Sequence, residues 1–258
     1  MFPYVTIYGG LGLLGLRDVR GHATPNLILL FVFLTWFAGL RYYVGCDYES
    51  YLIRYNEART LDWSVILGKA EFGFGAMTAL FAKAGLPFWA FQGFASAVIV
   101  GLYTKFASRY PNPVYLLALF FPILILQLGM SGLRQAMAVG FILLAFNAYV
   151  DKKRWMIALW VVVAFQFHNS AIIFLPMAFI AGREISIPRL VAGFVLIAPI
   201  VALILGDRIE VYTDRYIDQI YGDQQSSGAW FRYFLALLPV PFFFQYRAKI
   251  KQKWEMVD

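Results

Sequence analysis

The stretch PVYLLALFFPILILQLGMSGLRQAMAVGFILLAFNAYV, residues 113 to 150, decides the fold. It consists of two long apolar runs, separated by Ser131-Gly132, and it contains a single charged residue, Arg134. An apolar run of about 20 residues is long enough for a helix to cross the hydrocarbon core of a bilayer. We therefore expect two consecutive membrane-spanning helices that meet at a polar corner.

The rest of the chain has the same character. Of its 258 residues 61% are hydrophobic and 14% are charged, whereas soluble domains carry about 25% charged residues. Further apolar segments lie at residues 2–16, 26–40, 72–104 (interrupted at 85–87), 155–168, 169–182, 190–206 and 230–245. The chain is expected to be all-α, a polytopic transmembrane helical bundle of about 8 to 10 membrane segments, some of them short or re-entrant. We expect residues 1–258 to form one domain.

Basic residues are distributed unevenly around these segments. If residues 17–20, 105–109, 151–154, 183–189 and the tail from Arg247 face the cytoplasm, that side carries 13 lysines and arginines against five acids. Such an excess is typical of cytoplasmic loops, so the net charge of +7 does not indicate a nucleic-acid partner. The loops 41–71 and 207–229, together with Arg134 and His168, then lie on the extracytoplasmic side.

Both extracytoplasmic loops contain amphipathic patterns. Apolar and aromatic residues recur at helical spacing in each loop, as Tyr48, Tyr51, Leu52 and Tyr55 in the first, and as Ile209, Tyr212, Tyr216, Ile217 and Ile220 in the second. We predict two amphipathic helices that lie on the bilayer interface.

Arg134 is the first candidate for chemistry. Burying an arginine at this depth costs at least about 2.5 kcal/mol, and Ser131-Gly132 resembles an N-cap that places Arg134 in the first turn of a helix. A guanidinium at a helix N-terminus can bind a phosphate or a pyrophosphate. The alternative is an arginine that extends to the lipid headgroups or pairs with a loop carboxylate.

His168 is the only ionisable residue between Arg154 and Arg183. A neutral imidazole in apolar surroundings can transfer a proton or bind a sugar hydroxyl. The alternative is a hydrogen bond between helices, for instance with Gln166 or Asn169.

The loop that begins RYYVGCDYESY, residues 41 to 51, supplies further candidates. Asp47 can act as a general base or orient a sugar, and it is also a natural N-cap for the helix that follows. Arg41 can pair with Asp47 or bind phosphate. Glu71, at the end of the loop, is the second carboxylate candidate, and glycines beside it allow a close approach of backbones. The tyrosines can stack on sugar rings or form an interfacial aromatic belt.

Four motifs in this order resemble the EpsG family: R-x-x-V-G-C-D-Y-x-x-Y, E-x-G-F, S-G-L-R-Q-A-M-A and F-H-x-S-A-I-I-F-L-P, from Arg41 to Pro176. These are Wzy-like membrane proteins of bacterial exopolysaccharide, capsule and O-antigen production. The resemblance implies a multi-pass protein of the bacterial cytoplasmic membrane, with which a GT-C-like architecture is compatible. Members are usually longer than this chain, which leads us to expect a fragment truncated at its C-terminus.

The activity that the resemblance implies is that of a polysaccharide repeat-unit polymerase, or of a related glycosyltransferase. Its substrate would be an undecaprenyl-pyrophosphate-linked oligosaccharide at the extracytoplasmic face, and no metal or nucleotide cofactor is expected. The lipid bilayer, a flippase and chain-length regulator proteins would be its partners. The implied catalytic residues are Asp47, Glu71 and His168, of which Asp47 is preferred for its polar, tyrosine-rich loop. The resemblance also marks Gly45 and the residues expected to bind the substrate or its pyrophosphate, which are Arg41, Tyr51, Arg134 and Gln135. Tyr48 is added to the substrate-binding residues because an aromatic ring there can stack on a sugar.

Two other functions remain open from the sequence. A transporter or flippase of lipid-linked oligosaccharide would also use an isolated intramembrane arginine and histidine, although no inverted repeat supports it. A membrane acyltransferase with His168 as its base lacks the usual neighbouring acid, because the next residue is Asn169.

Overall fold

A computed structural model of the protein describes residues 2–17, 23–68, 71–181, 188, 191–193, 195 and 199. The chain divides into two compact units, Met1–Val201 and Ala202–Asp258, and the described residues all belong to the first. The predicted loop 207–229 with its amphipathic helix, the predicted segment 230–245 and most of 190–206 lie outside the described residues. The prediction of a single domain stays a prediction.

The described part of the chain contains helices and no strand, which confirms the all-α class there. The helices are α1 Phe2–Arg17, α2 Ala23–Gly39, α3 Tyr48–Glu57, α4 Trp63–Leu67, α5 Phe72–Lys83, α6 Phe88–Ala107, α7 Pro113–Phe120, α8 Gly129–Ser131, α9 Leu133–Val150, α10 Arg154–Phe165 and α11 Pro176–Ile180. A π-helical segment, Phe121–Leu128, joins α7 to α8, and a 3₁₀ segment, Asn169–Phe174, lies between α10 and α11.

Glycine and proline set the helix ends. The chain reverses at Gly85, whose φ of 74° is readily adopted only without a side chain, and Pro87 then begins α6 as its N-cap. The predicted interruption at 85–87 is thus confirmed. Asn112 caps α7, since its side chain accepts a hydrogen bond from the Tyr115 N–H and donates one to the Gly15 carbonyl.

Two helical stretches among the described residues are long and apolar enough to cross a membrane, Pro113–Ser131 and Leu133–Val150. These are the two spans that the 113–150 sequence predicts. The apolar helices α1, α2 and α10 are also present, but each is shorter. The complete polytopic bundle therefore stays a prediction.

Helix α6 lies at the centre of the packing and contacts both α2 and α9. Small residues allow the close approach: a Cβ built on Gly39 of α2 would lie 2.8 Å from the Cα of Gly93 in α6. On the other side, the buried Tyr103 hydroxyl of α6 donates to the Ala136 carbonyl at 3.0 Å. This bond lies one turn from the start of α9 and helps to fix the orientation of the residues there.

Helix α3 forms where its amphipathic pattern predicts it, but its aromatic face is covered by protein instead of lipid. The tyrosine hydroxyl of Tyr55 donates to the Leu86 carbonyl at 2.8 Å. Three buried tyrosines each pack on a phenylalanine of α5 or α6, with ring centroids 5.5 to 5.6 Å apart, in the pairs Tyr48–Phe88, Tyr51–Phe74 and Tyr55–Phe91. The apolar stripe of α3 thus packs on aromatic side chains of the chain itself, and the position of this helix at the bilayer interface stays a prediction.

Candidate functional site

Three breaks between helices meet at one place in the structure. They are Glu71 before α5, Gly132 before α9, and His168 before the 3₁₀ segment. The side chains of Glu71, Arg134 and His168 contact one another there, although Glu71 is 63 residues from Arg134 and 97 from His168 along the chain. Arg134 and His168, two predicted site residues on different segments, thus both contact a third predicted site residue, Glu71.

The Glu71 carboxylate holds this cluster together. One oxygen, Oε2, accepts a hydrogen bond from Arg134 Nη1 at 2.5 Å. The other, Oε1, lies 2.8 Å from His168 Nδ1 and accepts from the Asn169 backbone N–H at 3.3 Å. The side chain is only 7% exposed. Burial opposes the charged form, but the hydrogen bond from His168 and the charge of Arg134 outweigh it, so the pKa of Glu71 is lowered below its ordinary value.

Glu71 has an unusual backbone. Its φ of 63° and ψ of 45° place a residue with a side chain in the left-handed region, which costs about 1 to 3 kcal/mol and is concentrated at functional sites. The following turn is held by the Gln166 carbonyl, which accepts hydrogen bonds from the N–H groups of Gly73 and Phe74 at 3.0 and 3.3 Å. A Cβ on Gly73 would lie 2.8 Å from Gln166 Cβ. The glycine of the E-x-G-F motif is therefore required for this contact.

Arg134 lies in the first turn of α9, as predicted. Ser131 is not its N-cap, however: Gly132 occupies that position, and the Ser131 hydroxyl instead accepts a hydrogen bond from the Cys46 N–H. The sequence leaves several alternatives for Arg134, and the structure shows the one in which Arg134 pairs with a loop carboxylate, Glu71. The Tyr51 hydroxyl also interacts with its guanidinium. About a third of the Arg134 side chain is exposed, so part of its donor capacity is accessible.

His168 has extended backbone and a side chain that is 23% exposed. Because a carboxylate oxygen accepts at Nδ1, the neutral ring carries its proton there and presents a lone pair at Nε2. Its hydrogen bond to Glu71 differs from the predicted alternatives, Gln166 and Asn169. Both residues nevertheless contribute to the site through their backbones.

The loop that follows α2 presses against the corner between α8 and α9. Gly45 has a φ of 105°, and a Cβ there would lie 2.0 Å from the Met130 carbonyl oxygen. Arg41 is almost completely buried and donates to the Ala38 carbonyl at 2.7 Å. The loop is thereby held beside the first turn of α9.

Other predicted residues stay apart from the cluster. Asp47 occupies the N-cap position of α3 but makes no side-chain cap hydrogen bond, and its side chain is exposed. Gln135 is exposed as well. Tyr48 is buried against Phe88. Among the residues that the structure describes, no three His, Cys, Asp or Glu side chains are grouped to hold a metal ion.

Comparison with curated proteins and with solved structures gave no match. The model of the EpsG family matches residues 26–257. This match extends beyond the Arg41–Pro176 stretch on which the four motifs lie, and it includes the segments after residue 183. The family is polysaccharide-polymerase-like and, with the apolar helices, indicates a membrane protein. The chain belongs to the EpsG family.

Proposed function

We propose that this protein is a polysaccharide repeat-unit polymerase, multi-pass in the bacterial cytoplasmic membrane, that uses undecaprenyl-pyrophosphate-linked oligosaccharide at the extracytoplasmic face. Membership of the family indicates the polymerase-like class. The observation that carries the proposal is the Glu71 carboxylate, which binds Arg134 and His168 at once where three helix breaks meet. This cluster combines a polarised imidazole with a cation, the two groups that the reaction needs.

In the proposed reaction, a hydroxyl at the non-reducing end of an incoming unit attacks the anomeric carbon of the growing chain. The new bond joins that carbon to the acceptor oxygen. The bond from the anomeric carbon to the pyrophosphate oxygen breaks, and the polyprenyl pyrophosphate leaves with the electron pair. The hydroxyl proton passes to a base on the protein.

We assign the base to His168, acting through Nε2. Glu71 accepts at Nδ1, so it orients the ring and stabilises the imidazolium that forms, as the carboxylate does in a Ser-His-Asp triad. Glu71 is a poor base itself, because Arg134 and His168 hold its pKa below the ordinary value. Asp47, the residue that the sequence favours, is exposed and has no side-chain hydrogen bond to the cluster, so His168 is the better candidate for the base.

Arg134 is assigned to the leaving group. Negative charge develops on the pyrophosphate as its bond to the sugar breaks, and the accessible part of the guanidinium can stabilise it. Loss of one such preorganised donor typically lowers the rate about 10² to 10³-fold.

The test is reconstitution of the purified protein in liposomes with a defined lipid-linked repeat unit, followed by analysis of product length. We expect His168→Gln and Arg134→Gln to lower the initial rate at least about 100-fold. Glu49→Gln, on the exposed face of α3, is the matched control and should retain the wild-type rate. If Asp47→Asn abolishes polymerisation and His168→Gln does not, the assignment of the base is wrong.

Cells that carry the same variants separate a polymerase from a transporter. A polymerase defect leaves single lipid-linked repeat units outside the membrane, because their translocation continues. Accumulation on the cytoplasmic side in Arg134→Gln cells would contradict the polymerase proposal and support a flippase.

A further inference from the structure

The turn between α9 and α10 joins two apolar helices that pack against each other. If α9 crosses the membrane, as its length and apolar composition allow, the turn after its last residue, Val150, lies at the level of the lipid headgroups. The turn and the first residue of α10 have the sequence Asp151-Lys152-Lys153-Arg154. Three consecutive cations then face the headgroups of one leaflet.

The backbone of this turn is strained at Lys152. The N–H of Lys152 donates to the Tyr149 carbonyl, and the N–H of Lys153 donates to the Ala148 carbonyl, both at 2.9 Å. This pair of bonds is the Schellman motif, in which the residue at the position of Lys152 has left-handed backbone and is usually glycine. Lys152 has a φ of 59°, which is unfavourable for a residue with a side chain. A cation is thus kept where the backbone alone favours glycine.

The carboxylate of the turn does not neutralise these cations. Asp151 accepts two hydrogen bonds from the guanidinium of Arg109, and Lys153 Nζ lies 3.4 Å from Asp151 Oδ2. In the described part of the chain, no ion pair joins Lys152 or Arg154 to another side chain. The turn therefore has an excess of positive charge that is available to a ligand.

A shallow surface cavity lies at the turn. Its volume is about 540 Å³, and it is lined by five consecutive residues, Lys152, Lys153, Arg154, Trp155 and Met156. All five are exposed, and Trp155 is 88% exposed. A tryptophan at the membrane–water interface places its amphipathic ring at the level of the headgroups. The cavity therefore combines accessible cations with an exposed aromatic surface.

Arg154 gives the cavity a directed donor. Its Nε donates to the Ala181 carbonyl at 2.9 Å, which holds the side chain in place. Its Nη1 and Nη2 groups form no hydrogen bond within the described part of the chain, and they can donate to two oxygens of one phosphate. Arg154 is also the first residue of α10, where a cation opposes the helix dipole. The helix itself gains nothing from this charge.

We propose that this cavity binds the phosphate group of an anionic phospholipid of the phosphatidylglycerol type. Lys152 and Arg154 bind the phosphate oxygens, and Trp155 lies against the boundary between the headgroup and the acyl chains. The excess of positive charge selects an anionic lipid over a zwitterionic one. The exposed apolar surface of Trp155 and Met156 favours a lipid over a soluble phosphate. This site goes beyond the proposed function and does not depend on it.

Thermal unfolding of the delipidated protein in a neutral detergent, titrated with dioleoylphosphatidylglycerol, tests the proposal. Wild type should be stabilised in a saturable manner, and dioleoylphosphatidylcholine should stabilise it much less. Arg154→Gln should bind the anionic lipid at least about fivefold more weakly, because a cation near the membrane surface is lost. Lys105→Gln is the matched control and should bind as wild type does, since Lys105 is an exposed cation in the last turn of α6, outside the cavity.

Lys152→Gly separates lipid binding from a structural role. Without lipid, this variant should unfold at the wild-type temperature or higher, because glycine readily adopts the backbone of this position. It should nevertheless bind dioleoylphosphatidylglycerol at least about fivefold more weakly, because the cation is lost. A purely structural lysine would give the opposite result, a lower lipid-free stability and an unchanged lipid affinity.

Three further results would overturn the proposal. Equal stabilisation by the two lipids would show a contact with hydrocarbon and no recognition of the headgroup. An equal loss of affinity in Lys105→Gln would show attraction to the whole basic surface instead of binding in the cavity. Arg154-dependent stabilisation by inorganic phosphate, as strong as that by the lipid, would assign the cavity to a soluble anion. These measurements do not require polymerisation, so the lipid site and the proposed function stand or fail separately.

Discussion

At Gly45 the chain passes so close to the corner between α8 and α9 that no side chain fits. A Cβ would lie 2.0 Å from the Met130 carbonyl oxygen, and the φ of 105° is one that other residues rarely adopt. The neighbouring Cys46 N–H bonds to Ser131. Gly45 therefore couples the loop that carries Arg41 to the helix that carries Arg134.

Gly45→Ala should lower the free energy of unfolding by at least about 3 kcal/mol. The strain of an alanine at positive φ adds to the collision of its Cβ with the backbone. Gly85→Ala is a matched comparison, since Gly85 also has a positive φ, 74°, but has nothing within 4 Å of a built Cβ. Gly85→Ala should lower the free energy of unfolding by only about 1 to 2 kcal/mol. Thermal unfolding in detergent measures both, and equal losses would show that the contact with Met130 is not tight.

Glu71 makes the stability of the protein depend on pH. Its pKa in the folded protein is below the ordinary 4.5, so the carboxylate contributes stability above that pH and the contribution is lost as the pH falls through the folded-state value. At neutral pH, Glu71→Gln should cost about 2 to 3 kcal/mol, because Arg134 and His168 lose a charged partner.

The measurement is the unfolding midpoint of wild type and of Glu71→Gln between about pH 7 and about pH 3. The two curves should converge toward the acid end. Glu49→Gln, at an exposed position of α3, is the control, and its unfolding midpoint should keep a constant difference from that of wild type over this range. If the difference in unfolding midpoint between wild type and Glu71→Gln stays constant down to the lowest pH, the assigned ion pair is contradicted.

At the scale of elements, α5 is attached to the turn after α10 through Gly73. Gly73→Ala would bring a Cβ to 2.8 Å from Gln166 Cβ and 3.0 Å from its carbonyl oxygen, so the helix must move and Glu71 must move with it. Gly75→Ala, two residues along the same helix, meets Ile66 only at ordinary contact distances of 3.4 to 3.5 Å.

We expect Gly73→Ala to fold but to lower the polymerisation rate at least about tenfold, since small misplacements of reacting groups are costly. Gly75→Ala should retain most of the rate. Both variants should be compared by size-exclusion profile and by the reconstituted assay. Similar losses in the two would mean that helix α5 tolerates no added methyl group, and that the contact with Gln166 has no special role.

The helices themselves were largely predictable from the sequence, because their ends depend on local chemistry. Pro87, Asn112-Pro113 and Gly132 end or begin helices where the sequence indicated. The position of Arg134 in the first turn of α9 follows from the same local rule. The apolar stripe of α3 was also visible, but whether lipid or protein covers it depends on Phe74, Phe88 and Phe91, which lie on other helices.

The arrangement of the site could be predicted only in part. Glu71, Arg134 and His168 were candidates because each is polar within apolar sequence. Their mutual contact joins residues 63 and 97 positions apart, and no local pattern encodes such a pairing. The sequence favours Asp47 over Glu71 as the base, because Asp47 lies in a polar stretch rich in tyrosine. The structure favours Glu71 as the carboxylate of the site, because its side chain is only 7% exposed whereas Asp47 lies at the surface.

At the scale of the whole described unit, the polar clusters lie at opposite ends of helix α9. Arg134 is in its first turn, while Asp151 follows its last residue and accepts two hydrogen bonds from Arg109 at the end of α6. Eighteen residues of helix span about 27 Å, close to the thickness of a hydrocarbon core. If α9 crosses the membrane, the candidate site and the Arg109–Asp151 pair face different compartments.

The positive-inside distribution predicts which compartment each end faces. Cys46, the only cysteine of the chain, is exposed beside the corner before α9. A membrane-impermeant maleimide should therefore label wild-type protein in intact spheroplasts. Lys153→Cys, placed in a Cys46→Ser background, moves the thiol to an exposed position beside Asp151. That variant should be labelled only after the membrane is permeabilised, because basic loops remain in the cytoplasm. The reverse pattern would place Glu71, Arg134 and His168 on the cytoplasmic side, where a polymerase of exported lipid-linked units could not act.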